Sequence, residues 1–204
     1  MVTAGERQVP RQSRAKETVA RLQAAVREIL VEAGAAGLNT NTIAERAGVN
    51  IATLYRYYPD KYAILRHVFE QFETERRDYV LRRIGELQAG TPWRAWVRSV
   101  IDHLAAAREA EPSAVALRRA MATSPDLIDV DQRSGDLIAE QLGEAFVRNF
   151  PHLADERARA AAHLMVDVVT VGLDSAFSVT PPDRLRIAEL ETMVEVYLAS
   201  HLDR

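Results

Sequence analysis

The 204-residue chain has no cysteine and only two lysines, and it has no uncharged apolar run that approaches a membrane span. The missing cysteines exclude a disulfide framework, a thiolate zinc site and a cysteine nucleophile together. A bilayer-crossing helix needs about 18 successive apolar residues. No basic start leads into an apolar stretch and a small-residue cleavage site, so no secretory signal is read and a cytoplasmic location is expected. Runs that alternate apolar and polar β-branched residues are also missing, which argues against a sheet.

Enzyme signatures are absent in the same way. No GxSxG, Walker A or GxGxxG pattern occurs, so no cofactor is assigned. The five histidines, His67, His103, His152, His163 and His201, do not fall into HExxH or another paired spacing that would give a metal face. Asp102 and His103 are adjacent, and on a helix they point about 100° apart. The acid pairs Glu109/Glu111 and Asp129/Asp131 flank expected helix ends, where solvated charge accounts for them. No catalytic residue and no metal ligand is assigned.

What is present is an average globular composition, 48% hydrophobic and 27% charged. The net charge of −3 is unevenly spread. Up to His67 there are 10 Lys+Arg against 6 Asp+Glu, and the remainder has 16 against 23. A basic first third joined to an acidic remainder points to an anionic partner for the first.

Prolines at positions 10, 59, 92, 112, 125, 151, 181 and 182 cut the chain into helix-sized pieces. Residues 1–12 lack periodicity and read as a flexible basic arm, with Arg7, Arg11, Arg14 and Lys16 placed to attract phosphate. Over 13–33, Val19, Leu22, Val26, Ile29, Leu30 and Ala33 mark one helix face, which Gly34 and Gly37 end. Two short helices follow, near 43–47 and 51–57, with Asn50 as the second N-cap. Asp60 caps a long helix to about residue 89, and Thr91-Pro92 starts another as N-cap and first helical position. Further helices are expected near 113–122, 126–149, 153–178 and 183–202, about nine in all, with no internal repeat.

Residues 40–61 read TNTIAERAGVNIATLYRYYPDK. Two helices of about two turns, joined through Gly48, bury little surface alone and need the stripe of the first helix. Three helices with a tight glycine turn between the last two make a helix-turn-helix. The third projects outward, so its N-terminal residues can enter a major groove, and its free N–H groups favour phosphate.

The segment resembles the TetR family of bacterial transcriptional regulators. The resemblance rests on Ile43-Ala44, Ala47-Gly48-Val49, Thr53-Leu54-Tyr55, Tyr57-Tyr58, Lys61 and Leu65, and it covers about residues 13–67. It implies an all-α protein: a helix-turn-helix DNA-binding domain at 13–60, then a helical ligand-binding and dimerisation domain at 61–204. It also implies that Thr40 contacts phosphate, that Asn41 reaches a base edge and that Thr42 is a phosphate partner. Asn bonds adenine bidentately. Asn50, usually Ser in relatives, caps the recognition helix and also touches phosphate. Ile51, Ala52 and Thr53 stand at that helix's front. Relatives often carry a basic or small polar residue where Ile51 stands; Ile51 can pack on a thymine methyl but cannot donate to guanine. Tyr55 and Tyr57 look like the aromatic pair that reaches backbone or base, Arg56 is a base reader or a solvated surface residue, and Lys61 contacts phosphate. Ile43, Ala44, Ala47, Val49, Leu54 and Leu65 are core, and Tyr58 mainly packs.

The acidic remainder is large enough for its own core. Leu164, Val168, Val171, Gly172 and Ser175, with Leu190, Val194 and Tyr197, form long apolar faces that suit a homodimer, packing within one subunit, or both. The resemblance places a small-molecule pocket in this region. Its candidate residues are Trp96, His103, Leu117, Met121, Leu137, Gln141, Phe146, Met165, Val169 and Phe177. The expected partners are a palindromic duplex, a second copy of the chain and an unidentified effector, with no membrane. The alternative classes are an all-α small-molecule binder, a helical-bundle enzyme and an all-α interaction protein. Sequence-dependent DNA binding separates these from the regulator.

Overall fold

The structure is a computed structural model that describes residues 11–121 and 125–203, with side chains at 13–121 and 131–203. Arg7 of the expected arm lies outside the described residues, as do the side chains of Arg11 and Asp129. Among the described residues there are nine α-helices and no strand. They are α1 (Arg11–Ala33), α2 (Thr40–Arg46), α3 (Ile51–Tyr57), α4 (Lys61–Gly85), α5 (Trp93–Ala110), α6 (Pro112–Met121), α7 (Pro125–Asn149), α8 (Asp155–Ala176) and α9 (Arg184–Leu202). A 3-10 turn, Ala35–Gly37, joins α1 to α2. The all-α class expected from the missing strand alternation and implied by the resemblance is the class observed.

Two compact units divide the chain after Val68. Ile64, Leu65 and Val68, at the start of α4, are buried and belong to the first unit.

In the first unit, α1 buries Leu22, Val26, Ile29 and Leu30. Gly34 ends the helix at φ 62, its N–H bonded to the Leu30 carbonyl at 3.1 Å. Glycine takes this left-handed conformation without a Cβ clash. Ile43, Ala44 and Leu54 of the two short helices complete the core. Helices this short are unstable alone, and burial holds them. Arg46 of α2 grips Glu32 of α1 through two bonds, 2.9 and 2.7 Å.

The second unit packs α5 to α9 and the rest of α4 around Trp96, Ile101, Phe146, Leu173 and Leu198. Side chains of this size each stabilise by about 1.5–3 kcal/mol when fully buried. The indole of Trp96 donates to the Arg83 carbonyl at 2.8 Å, and that of Trp93 to Asp203 at 3.1 Å. Gly143 lets α7 and α8 approach, since a Cβ there would stand 3.2 Å from the Arg159 Cα. Helix α5 starts one residue later than expected. Pro92 is its N-cap, and the Thr91 hydroxyl accepts from the Gln88 N–H at 2.9 Å, closing the preceding turn instead of capping the helix.

Candidate functional site

The first unit presents α2 and α3 side by side. The turn between them needs Gly48, whose φ is 62. The Asn39 side chain accepts from the Thr42 N–H at 3.0 Å, while the Thr42 hydroxyl accepts from the Asn39 N–H at 3.2 Å. This reciprocal capping box fixes where α2 begins. The Thr42 hydroxyl also faces the carbonyls of Gly37 and Asn39 at 3.0 and 2.9 Å. It is therefore engaged by its own backbone, unlike its neighbours. Asn50 caps α3, accepting from the Ala52 N–H at 2.8 Å.

Four residues with a proposed DNA role, Asn41, Ala52, Tyr55 and Arg56, are exposed on these two helices, while Thr40, Ile51, Thr53 and Tyr57 are half-buried. The hydroxyls of Thr40 and Tyr55 lie 3.1 Å apart, bringing the start of α2 against the middle of α3. The Arg56 guanidinium sits 5.4 Å from the Tyr57 ring centre, a cation–π contact that holds the side chain along the helix. Lys61, at the start of α4, donates to the Leu38 carbonyl at 3.4 Å and lies 5.3 Å from the Tyr62 ring. Arg14 and Lys16 are exposed on the first turns of α1. Tyr58 is turned inward, its hydroxyl 2.8 Å from Nδ1 of His67, and burial pushes its phenol pKa up. It stays neutral and structural.

The second unit holds an apolar cavity that is open on one side. Its walls come from α4, α5, α7 and α8, and its polar lining is confined to Arg76 and Thr170, with Trp96 on the wall. Of the ten residues singled out from the sequence, Trp96, Met165 and Val169 line this cavity. Leu117, Met121 and Phe146 are buried elsewhere, Phe177 is half-buried, and His103, Leu137 and Gln141 are exposed. For the three exposed residues the offset is one position: Leu104, Ile138 and Leu142 line the wall while the residue before each faces solvent. One position is 100° of helix rotation. His103 stacks instead on Tyr79, ring centres 3.5 Å apart.

Beside the cavity runs a chain of buried ion pairs that the sequence did not announce. Arg76 holds Glu73 at 2.6 Å, and Arg118 holds the other oxygen of Glu73 at 2.5 Å. Arg118 also pairs with Asp131 and, at 2.9 Å, with Asp174, whose second oxygen meets Arg108 at 2.8 Å. Burial pushes the Glu73 carboxyl up, but the charges of Arg76 and Arg118 override it and hold it below its ordinary value. Only Glu73 and Arg76 were legible as a pair, three residues apart on one helix; Arg118 lies 45 positions from Glu73.

On α8 and α9 the apolar surface is split by helix rotation. Leu164 and Val171 are exposed, as are Leu185, Met193 and Val196. Val168, Gly172, Ser175 and Tyr197 are half-buried, whereas Leu190 and Val194 are buried within the protomer. Gly172 admits Leu190, whose side chain would stand 2.8 Å from a Cβ added there.

A helix-turn-helix unit with an exposed polar front, followed by a larger helical unit, defines a class of DNA-binding regulators. The family profile described as "Bacterial regulatory proteins, tetR family" matches residues 22–68, and the one described as "Tetracyclin repressor-like, C-terminal domain" matches residues 92–198. The chain belongs to the TetR family of bacterial transcriptional regulators. Its fold is similar to that of a TetR-family protein from Mesorhizobium loti, with 16% identity, a TM-score of 0.71, and 92% of this chain and 98% of that one covered. A TetR-family transcriptional regulator from Streptomyces coelicolor is 24% identical, with a TM-score of 0.65 and coverage of 91% and 99%. The fatty acid degradation regulator FadR from Bacillus halodurans is 15% identical, with a TM-score of 0.65 and coverage of 93% and 96%. No curated protein matches the chain in sequence. Among the described residues no helix is long and apolar enough to cross a membrane, and no cluster of side chains could hold a metal ion.

Proposed function

We propose that the chain is a homodimeric repressor that grips a palindromic operator through α2 and α3 and is released by a small-molecule effector held in the second unit. The observation that carries the DNA reading is the pairing of the Thr40 and Tyr55 hydroxyls beside the exposed Asn41 and the capped start of α3. Of two hydroxyls at hydrogen-bond distance, one donates to the other, and the second keeps its hydrogen for a phosphate oxygen. Asn41 then reads a base edge, with adenine as its bidentate partner. Ile51 and Ala52 present methyl groups to the groove floor, and thymine supplies the matching methyl. Arg56, Tyr57, Asn50, Thr53 and Lys61 complete the contact set, most of them to the sugar-phosphate backbone. Phosphate contacts position a protein on the duplex, and base contacts specify the sequence.

The exposed Leu164, Val171, Leu185 and Val196 supply apolar surface for a second copy. A dimer presents two recognition helices, and half-sites centred about 34–36 Å apart, or a multiple of that, fit them. An effector that binds one spacing of the subunits more tightly depopulates the DNA-competent one. A near-complete switch needs about 5.5 kcal/mol of differential affinity.

The test is selection of bound sequences from a random duplex pool at low salt. The expected product is an inverted repeat with A·T pairs under Asn41 and Ile51. Failure to enrich any sequence would sink the proposal, and enrichment of a single unrepeated site would sink the dimer part of it.

A further inference from the structure

We propose that the cavity of the second unit selects an uncharged apolar molecule bearing one oxygen, such as a medium-chain alcohol, ketone or ester, and rejects the carboxylate and the amine of the same skeleton. This inference rests on reading the cavity as the effector site. Its polar end is formed by Arg76 and Thr170. A lone arginine in an apolar pocket invites an anion. This arginine is not alone.

Arg76 gives Nε and Nη2 to one oxygen of Glu73, at 3.0 and 2.6 Å, and Nη1 to the Thr170 hydroxyl at 3.2 Å. The other Glu73 oxygen is taken by Arg118, which continues to Asp131 and Asp174, and Asp174 ends on Arg108. Three guanidinium groups alternate with three carboxylates, so the cluster is electrically balanced. Glu73 is only 2% exposed and Arg108 only 8%, while Asp131 on the far side of Arg118 is 36% exposed, so solvent does little to dilute an imbalance at the Glu73 end.

A ligand carboxylate brought to Arg76 would add a fourth negative charge beside Glu73, and Arg76, Arg118 and Arg108 are each already paired with a carboxylate. An ammonium would add a fourth positive charge beside Arg76. Either ion also loses its hydration in the apolar cavity, which is expensive unless a counter-charge replaces it. A neutral oxygen meets neither penalty. The Thr170 hydroxyl accepts from Arg76 and keeps its own hydrogen, which it donates to that oxygen. Apolar walls take the rest of the molecule.

The experiment compares 1-octanol, octanoate and octylamine on the purified full chain at a pH of about 7.5, where both charged probes are ionised. Trp96 lines the cavity, so its emission reports occupancy, and Trp96→Phe shows that the signal is its own. The expected result is saturable binding of octanol and at least about tenfold weaker binding of the two ions. Glu73→Gln leaves the cluster with one surplus positive charge and raises octanoate affinity relative to octanol by about tenfold. If that variant does not fold, the wild-type ranking decides alone. Octanoate or octylamine matching octanol in the wild type overturns the proposal while leaving the cavity as a binding site, and so does a folded Glu73→Gln chain with an unchanged preference. No saturable binding of any of the three probes overturns the effector site and the proposal with it.

Discussion

The hydroxyls of Thr40 and Tyr55 lie 3.1 Å apart, although fifteen positions separate them in the chain. Neither residue is needed for the core: Tyr55 is 51% exposed, and the burial of Leu54 and Ile43 holds the two helices together. If both hydroxyls hold one phosphate, their contributions are coupled. Tyr55→Phe and Thr40→Val each remove one hydroxyl, and each is expected to weaken operator binding by about 0.5–1.5 kcal/mol. The double variant loses less than the sum, because one missing hydroxyl already misplaces the phosphate. Fluorescence anisotropy with a labelled operator measures all four corners of the cycle, and strict additivity would show that the two hydroxyls act on separate groups. Tyr55→Ala goes further, weakening binding while leaving the dimer intact by analytical ultracentrifugation.

In the proposed complex Lys61 supplies a charge rather than a geometry. Lys61→Ala is expected to weaken operator binding with the dimer intact. It also flattens the plot of log affinity against log salt by about 0.9. A steep wild-type slope that Lys61→Ala leaves unchanged would place the lysine away from the phosphates.

The helix-turn-helix was legible because its constraints are local. Gly48 marks the turn, Asn50 the cap, and the apolar positions 43, 44, 47 and 54 fix which faces turn inward. The second unit was legible as helices but less so as a site. On α5 and α7 the periodicity identified helices but not the rotation of each, so Leu137 and Gln141 were singled out where Ile138 and Leu142 form the wall. The charge chain was hidden for another reason. Glu73, Arg118 and Asp174 sit on three different helices, and each alone reads as a solvated surface charge.

Gly48 makes a prediction that separates backbone strain from packing. A Cβ there meets nothing within 4 Å, so any cost of Gly48→Ala comes from its positive φ. The expected loss is about 1–2 kcal/mol, with less for Gly48→Asn, which tolerates the left-handed region better. Thermal unfolding of the three chains gives the ranking, and equal midpoints would contradict it.

The proposed dimer face and the protomer core predict opposite outcomes from neighbouring positions. Val171 is 68% exposed and Val196 66%. Val171→Glu and Val196→Glu are expected to leave helicity and unfolding cooperativity unchanged while converting the dimer to monomer and abolishing operator binding. Leu190 is buried against Gly172, so Leu190→Ala instead destabilises the protomer by about 2–5 kcal/mol. Ultracentrifugation beside circular dichroism distinguishes the two. A Val171→Glu chain that remains dimeric would move the interface elsewhere.

The last prediction concerns acid. Glu73 is held below its ordinary value of 4.5, with burial opposing and Arg76 and Arg118 prevailing. A carboxylate depressed in the folded state stabilises fully above its unfolded pKa. That contribution is lost as the pH falls from about 4.5 through the lower folded value. Replacing Arg118 with methionine leaves Glu73, Asp131 and Asp174 short of a shared cation, and Glu73 is only 2% exposed. Removing one partner of a buried pair costs about 3–5 kcal/mol. The Arg118→Met chain is therefore expected to be markedly less stable at neutral pH. With Arg118 gone the depression of Glu73 shrinks, so the acid-dependent loss below pH 4.5 becomes shallower than in the wild type. Adding Glu73→Gln to Arg118→Met removes the stranded charge and restores part of the neutral-pH loss. Urea unfolding across pH measures all three chains. A double variant no more stable than Arg118→Met alone would show that packing of the arginine stem, rather than the uncompensated carboxylate, sets the cost.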